Sequence, residues 1–128
     1  MFKRLNRIRQ KVISIVATII FSIIIIGLSF APIVHGIVGI DKFYHVVSFF
    51  CLVFPITLIK PRLIVWVFFG VMIFGGLIEL GQNSFGRQAS WADFLANGIG
   101  AIFGVMIARF LGLRLFGSSK VSIKRTKS

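Results

Sequence analysis

Polar residues interrupt an otherwise apolar chain at three places, and their types are those that bind anions or transfer protons. They form three pairs spaced three or four positions apart, so that each pair would share one face of a helix. The pairs are Asp41 and His45, Glu79 and Gln82, and Asp93 and Asn97. All three acidic residues of the 128-residue chain belong to these pairs. Because an ionisable group at the edge of an apolar segment is costly to bury, each pair is a candidate part of a functional site.

The residue types suggest separate roles within such a site. Glu79, His45 and Asp93 are the candidates for acid–base catalysis, since carboxylates and imidazoles can transfer protons near neutral pH. Arg87 can bind a phosphate or carboxylate through two parallel hydrogen bonds, and Lys42 can bind as a point charge. No serine or cysteine stands in a recognisable nucleophile setting, so whether the site is catalytic stays open. The candidates for ligand binding are Asp41, Lys42, Gln82, Arg87 and Asn97.

A metal site is the less favoured interpretation of the same residues. Asp41, His45, Glu79 and Asp93 offer oxygen and imidazole ligands. However, the sequence contains no His-x-x-x-His motif and no pair of cysteines, which are common elements of metal sites. Lys42, next to Asp41, would also repel a cation. The sequence therefore predicts a site that contains neither a metal nor a cofactor.

Composition indicates a membrane protein. Hydrophobic residues make up 57% of the chain and charged residues 14%, and the mean hydropathy is +0.98. A soluble domain of this size and composition would have too few polar residues to cover its surface. The net charge of +12 lies at the chain ends and between apolar runs, without a groove-reading motif, so nucleic-acid binding is not expected. The single cysteine, Cys51, excludes an intrachain disulfide.

Four apolar runs predict an all-α integral membrane protein with four transmembrane helices. The runs cover residues 12–31, 43–59, 63–81 and 91–112, and about 20 residues of helix cross the hydrocarbon layer. A cleaved signal peptide is the alternative for the first run, but this run is long and Ala31-Pro32 is a poor cleavage context. We therefore expect a basic N-terminus (1–11), a transmembrane domain (12–112) and a basic tail (113–128).

The basic residues predict the orientation of these helices. One side of the membrane receives twelve, from the N-terminus, the loop after the second helix and the tail, and the other side receives only Lys42 and Arg87. Because cytoplasmic loops carry the excess of Lys and Arg, both termini should be cytoplasmic. The three polar pairs would then meet at the extracytoplasmic face. The protein would be a multi-pass protein of the bacterial cytoplasmic (inner) membrane, with the lipid bilayer as its first partner.

The start of the fourth helix carries signals for capping and close packing. Ser90 is expected to be its N-cap, with Asp93 three residues later as in a capping box. Small residues at four-residue steps form a ridge that lets a neighbouring helix approach. The ridge comprises Ala96, Gly100, Gly104 and Ala108.

Taken in order, the motifs resemble the signature of the VanZ-like membrane proteins, a family named for a protein associated with teicoplanin resistance. The resemblance covers about residues 41–104 and rests on three motifs: Asp41-Lys42-x-x-His45, Glu79-x-x-Gln82, and Arg87-x-x-Ser90-x-x-Asp93-x-x-x-Asn97-x-x-Gly100. It implies a small bacterial multi-helix membrane protein connected with tolerance of a glycopeptide antibiotic that acts at the cell surface.

Three functions are compatible with these residues. The first is a site that binds or acts on a cell-envelope component, such as the head group of an anionic lipid or a cell-wall precursor. The second is a structural or accessory protein in which the polar cluster is an ion network between helices. The third is a small transporter or proton-conducting oligomer, although polar residues are scarce in the inner halves of the spans. A homo-oligomer is compatible with all three.

Overall fold

Four α-helices make up the fold in a computed structural model of the chain, which describes residues 1–31, 39–86 and 90–125. They are α1 (Phe2–Phe30), α2 (Ile40–Ile59), α3 (Ile64–Ser84) and α4 (Trp91–Arg125), with a short 3-10 helix, Pro61–Leu63, before α3. Each α-helix contains a segment that is long and apolar enough to cross a membrane. The prediction of an all-helical protein with four such helices is confirmed.

Two helices extend beyond the apolar runs that predict them. α1 begins at Phe2 and so includes the basic N-terminus, and α4 continues to Arg125, well past the end of the fourth apolar run at Gly112. Hydropathy marks where a chain leaves the hydrocarbon layer, whereas Lys, Arg and Leu favour helix in water as well. The basic tail starts as a continuation of the helix.

The interface between α2 and α4 is the most extensive in the bundle. Two glycines of α4 lie directly against the backbone of α2: a Cβ atom on Gly100 would overlap the Val46 carbonyl oxygen, and one on Gly112 would overlap that of Leu58. Between them, a Cβ atom on Gly104 would overlap the Val53 side chain. Small residues therefore set the distance between these two helices.

The remaining helices pack around this pair. Phe49 and Leu52 of α2 form one buried cluster with Ile25 of α1 and Ile78 of α3. A second cluster joins α2 to α4 through residues that include Val53, and partly buried side chains of α3 cover it. α3 meets α4 over a much smaller interface than α2 does. Most large apolar side chains on the outer faces are exposed, as expected for helices that contact lipid.

Candidate functional site

The polar residues of the sequence pairs gather at one end of the bundle. The N-terminus of α2, the C-terminus of α3 and the N-terminus of α4 meet there, because consecutive helices run in opposite directions. All three acid–base candidates face one another: one ligand atom each from His45, Glu79 and Asp93 lies within 4.8 Å of the other two. We call these three residues the His–Glu–Asp cluster.

Asp93 is the centre of this cluster, and its two oxygen atoms face different partners. Oδ1 lies 3.7 Å from Lys42 Nζ, and Oδ2 lies 3.9 Å from His45 Nε2. Both distances exceed a hydrogen bond, so the contacts are electrostatic. The Asp93 side chain is 14% exposed and that of Lys42 50% exposed. Lys42 can therefore leave Asp93 for solvent at little cost.

Asn97 fixes the orientation of the His45 ring. Its Oδ1 atom lies 2.8 Å from His45 Nδ1, and its side chain is 1% exposed. Because an amide oxygen only accepts hydrogen bonds, Nδ1 carries the proton in this arrangement. In the neutral ring, Nε2 then presents a lone pair toward Asp93. Gly75 of α3 makes room for Asn97, since a Cβ atom there would lie 3.0 Å from Asn97 Nδ2.

Glu79 connects the end of α3 to the start of α4. It is 6% exposed, and its Oε2 atom accepts a hydrogen bond from the backbone N–H of Ser90 at 3.1 Å. Ser90 in turn caps α4, since its Oγ atom accepts a bond from the Asp93 N–H at 3.3 Å. In a capping box the third helical residue would bind the Ser90 N–H. Here Glu79 accepts that bond, and the Asp93 carboxylate faces Lys42 and His45.

Other candidates from the sequence have different surroundings. Gln82 is buried, and its Nε2 atom donates to the Ser29 carbonyl oxygen at 2.8 Å, which ties α3 to the end of α1. Asp41 is exposed and does not belong to the His–Glu–Asp cluster. Arg87 lies outside the described residues. The four ridge residues, Ala96, Gly100, Gly104 and Ala108, are all buried.

A groove of about 440 Å³ opens between α3 and α4 beside the cluster. It is lined by apolar side chains along most of its length and by Glu79 and Ser90 at its polar end. The complete lining is Ile73, Gly76, Leu77, Glu79, Leu80, Ser90, Trp91 and Phe94. Sequence reasoning missed this groove. The adjacent glycines Gly75 and Gly76 are the signal that could have indicated it, because they remove side-chain volume from the face of α3 near α4.

Comparison of the chain with family models, curated proteins and solved structures finds no match. The resemblance to the VanZ-like proteins therefore stays a prediction that rests on the motifs of this sequence.

Proposed function

We propose that this chain is a VanZ-like protein of the bacterial cytoplasmic membrane, whose outward-facing polar site binds an amphiphilic component of the cell envelope. The observation that carries the proposal is the groove between α3 and α4, which joins a lipid-facing apolar wall to the His–Glu–Asp cluster. A molecule with a hydrocarbon chain and a polar head would match both parts at once.

The size and lining of the groove support this class of ligand. Its volume of about 440 Å³ is within the range of about 300–1,000 Å³ that is typical of small-molecule sites. Ile73, Leu77 and Leu80 follow one another along one face of α3, and Phe94 faces them from α4. In a bilayer, hydrocarbon occupies such a surface more favourably than water does. One acyl or prenyl chain is therefore the expected occupant.

The polar end of the groove supports a charged or hydroxylated head group. Glu79 and Ser90 line the groove itself, and Lys42, whose side chain is half exposed, lies 3.7 Å from Asp93 Oδ1. Lys42 supplies positive charge that an anionic lipid or a lipid-linked cell-wall precursor would need, and Arg87 is the second candidate for this role from the sequence. The proposed outward orientation places this end where cell-wall precursors and glycopeptides are found. Teicoplanin tolerance, implied by the resemblance, would follow from binding or altering such a component.

A substitution that fills the groove tests this proposal. A Cβ atom on Gly76 would lie 3.7 Å from Phe94, an ordinary contact, so Gly76→Leu would place its side chain in the groove without disturbing the backbone. Gly70→Leu is the matched control, because Gly70 lies on the same helix with nothing within 4 Å of its Cβ position. The protein is extracted into polymer nanodiscs, and the bound lipids are quantified by mass spectrometry.

We expect the wild-type protein and Gly70→Leu to enrich one anionic amphiphile over the bulk membrane, and Gly76→Leu to lose that enrichment. Lipid compositions equal to the bulk membrane in all three samples would contradict the proposal. That result would favour the interpretation of the cluster as an ion network between helices.

A further inference from the structure

We infer that His45, Glu79 and Asp93 form a binding site for one divalent transition-metal ion, Zn²⁺ or Mn²⁺. Each residue comes from a different helix, and one ligand atom of each lies within 4.8 Å of the other two. This inference goes beyond the proposed function, because the ion would bind whether or not a lipid occupies the groove.

The donor set matches this class of ion. One imidazole nitrogen and two carboxylate oxygens are a mixed set that suits Zn²⁺ or Mn²⁺, whereas Mg²⁺ and Ca²⁺ prefer oxygen ligands alone. Ligand distances of about 2.0–2.2 Å allow two ligands of one ion to lie up to about 4 Å apart. The 3.9 Å between His45 Nε2 and Asp93 Oδ2 is already within this limit. Small side-chain rotations would bring Glu79 to the same ion.

Neighbouring residues orient two of the proposed ligands through hydrogen bonds, as is common around metal sites. A metal-binding histidine usually donates its second ring N–H to an oxygen atom, which fixes the tautomer and the ring orientation. His45 Nδ1 and Asn97 Oδ1 are in this relation at 2.8 Å, and Nε2 is directed toward the cluster. Glu79 is held in a similar way by the Ser90 N–H. Two of the three ligands are thus oriented before an ion arrives.

Two carboxylate oxygens of the cluster have unmet bonding capacity. Glu79 Oε1 and Asp93 Oδ1 are buried and have no hydrogen-bond partner among the residues that the structure describes, although Asp93 Oδ1 faces the Lys42 ammonium group at 3.7 Å. Glu79 as a whole is 6% exposed. A carboxylate oxygen in such a place is expensive to leave without a partner. A bound cation would supply one and would also remove the repulsion between the two carboxylates.

The charges around the cluster explain how the ion could coexist with the proposed ligand. Among the described residues, the two carboxylates of Glu79 and Asp93 face the single cation Lys42, and their negative charge weakens the attraction of the site for an anionic head group. A divalent ion reverses the local sign. Lys42 is the group that opposes the ion, because its ammonium group lies 3.7 Å from Asp93 Oδ1. Removing that charge should therefore strengthen metal binding, the opposite of what damage to the fold would do.

Metal titration of the full-length protein in detergent tests the inference. The protein is stripped with a chelator, and Zn²⁺, Mn²⁺ and, as a comparison, Mg²⁺ are titrated separately by calorimetry. We expect one Zn²⁺ or Mn²⁺ per chain and no comparable binding of Mg²⁺. His45→Ala should weaken binding at least about 100-fold, and Asn97→Leu, which keeps all three ligands, about 10–100-fold. Lys42→Met should tighten binding at least about tenfold.

Two control variants distinguish metal binding by the His–Glu–Asp cluster from effects of substitutions elsewhere in the protein. Asp41→Asn removes an exposed carboxylate at the same end of α2 and should leave the affinity unchanged. Gly76→Leu should also leave it unchanged, so that failure of the groove proposal and failure of the metal inference give different results. Absence of binding to the wild-type protein would overturn the inference. Equal affinities of the wild-type, His45→Ala and Lys42→Met proteins would also overturn it.

Discussion

Glu79 has two oxygen atoms in very different surroundings. One accepts the backbone N–H that precedes α4, and the other lies buried near a second carboxylate without a hydrogen-bond donor among the described residues. An unsatisfied buried polar atom typically costs about 1–3 kcal/mol of stability. Stability is commonly lost where activity requires a strained or destabilising residue, so Glu79 is a candidate for function.

Neutralising the Glu79 carboxylate should therefore stabilise the folded protein and, at the same time, impair its proposed function. Glu79→Gln keeps an oxygen that can accept the Ser90 N–H, and its amide group can donate toward Asp93. We expect the free energy of unfolding in detergent, measured with a chelator present, to rise by about 1 kcal/mol. In a teicoplanin-susceptible bacterium, the same variant should abolish any tolerance that the wild-type protein confers, with an unchanged amount of protein in the membrane.

Arg87→Ala is the companion variant in the tolerance assay, because Arg87 is the proposed anion-binding residue of the VanZ-like signature. We expect it, too, to abolish tolerance while the protein remains in the membrane. Loss of the protein from the membrane in both variants would instead identify the cluster as a structural ion network.

The sequence predicts which side chains are chemically unusual, but it does not predict which of them contact one another. The scarcity of acids, together with the polar pairs at the edges of apolar runs, indicates which side chains are unusual. Gln82 shows the limit, because its spacing from Glu79 suggests a shared role, yet it donates to the end of α1. Asp41 shows it again, being exposed while His45 joins the cluster. Which face of a helix meets which neighbour depends on packing between distant segments.

At the scale of elements, the contact between Gly100 and Val46 positions half of the site. Val46 follows His45 in the sequence, and the opposing face of α4 carries Asn97, one turn before Gly100. The hydrogen bond between His45 and Asn97 thus forms beside a close contact between α2 and α4. A change in the distance between α2 and α4 would therefore displace the imidazole ring of His45.

We therefore expect Gly100→Ala to destabilise the protein and to displace His45. Its Cβ atom would overlap a backbone oxygen atom, which cannot rotate away, and overpacking of this kind costs about 1–3 kcal/mol or more. Thermal unfolding in detergent measures the loss. The matched control is Gly98→Ala, whose Cβ atom would meet only the flexible Met72 side chain at 3.5 Å. Equal stability of the two variants would contradict this account of the interface.

The helices themselves are predictable because a run of about twenty predominantly apolar residues has few alternatives to a membrane-spanning helix. Their ends are less predictable, as the continuation of α4 to Arg125 demonstrates. The groove between α3 and α4 was not predicted, because it arises from a difference in packing among three helices. The adjacent glycines of α3 indicate that side-chain volume is missing there, but they do not indicate whether a neighbouring helix fills the space.

At the scale of the whole molecule, the distribution of charge predicts its orientation in the membrane. Single cysteines in a Cys51→Ala background test this prediction with a membrane-impermeant maleimide. Phe85→Cys, at the exposed turn after α3, should be labelled in intact spheroplasts. Leu63→Cys, at the opposite end of the bundle, should be labelled only after the membrane is permeabilised. Both sites are exposed, so burial does not explain a difference. The reverse pattern would place the cluster in the cytoplasm and would exclude an extracytoplasmic site.

Because the four helices pack unequally, substitutions at different interfaces should differ in their effect on folding free energy. Side chains between α2 and α4 hold the bundle together, so few substitutions are tolerated there. By contrast, Ile73, Leu77 and Leu80 on α3 are 63–65% exposed. Exchange of one apolar residue for another at these positions would reshape the groove at little cost in folding free energy. If the groove binds an amphiphile as proposed, natural selection could thus adapt it to a different one by changing one face of α3.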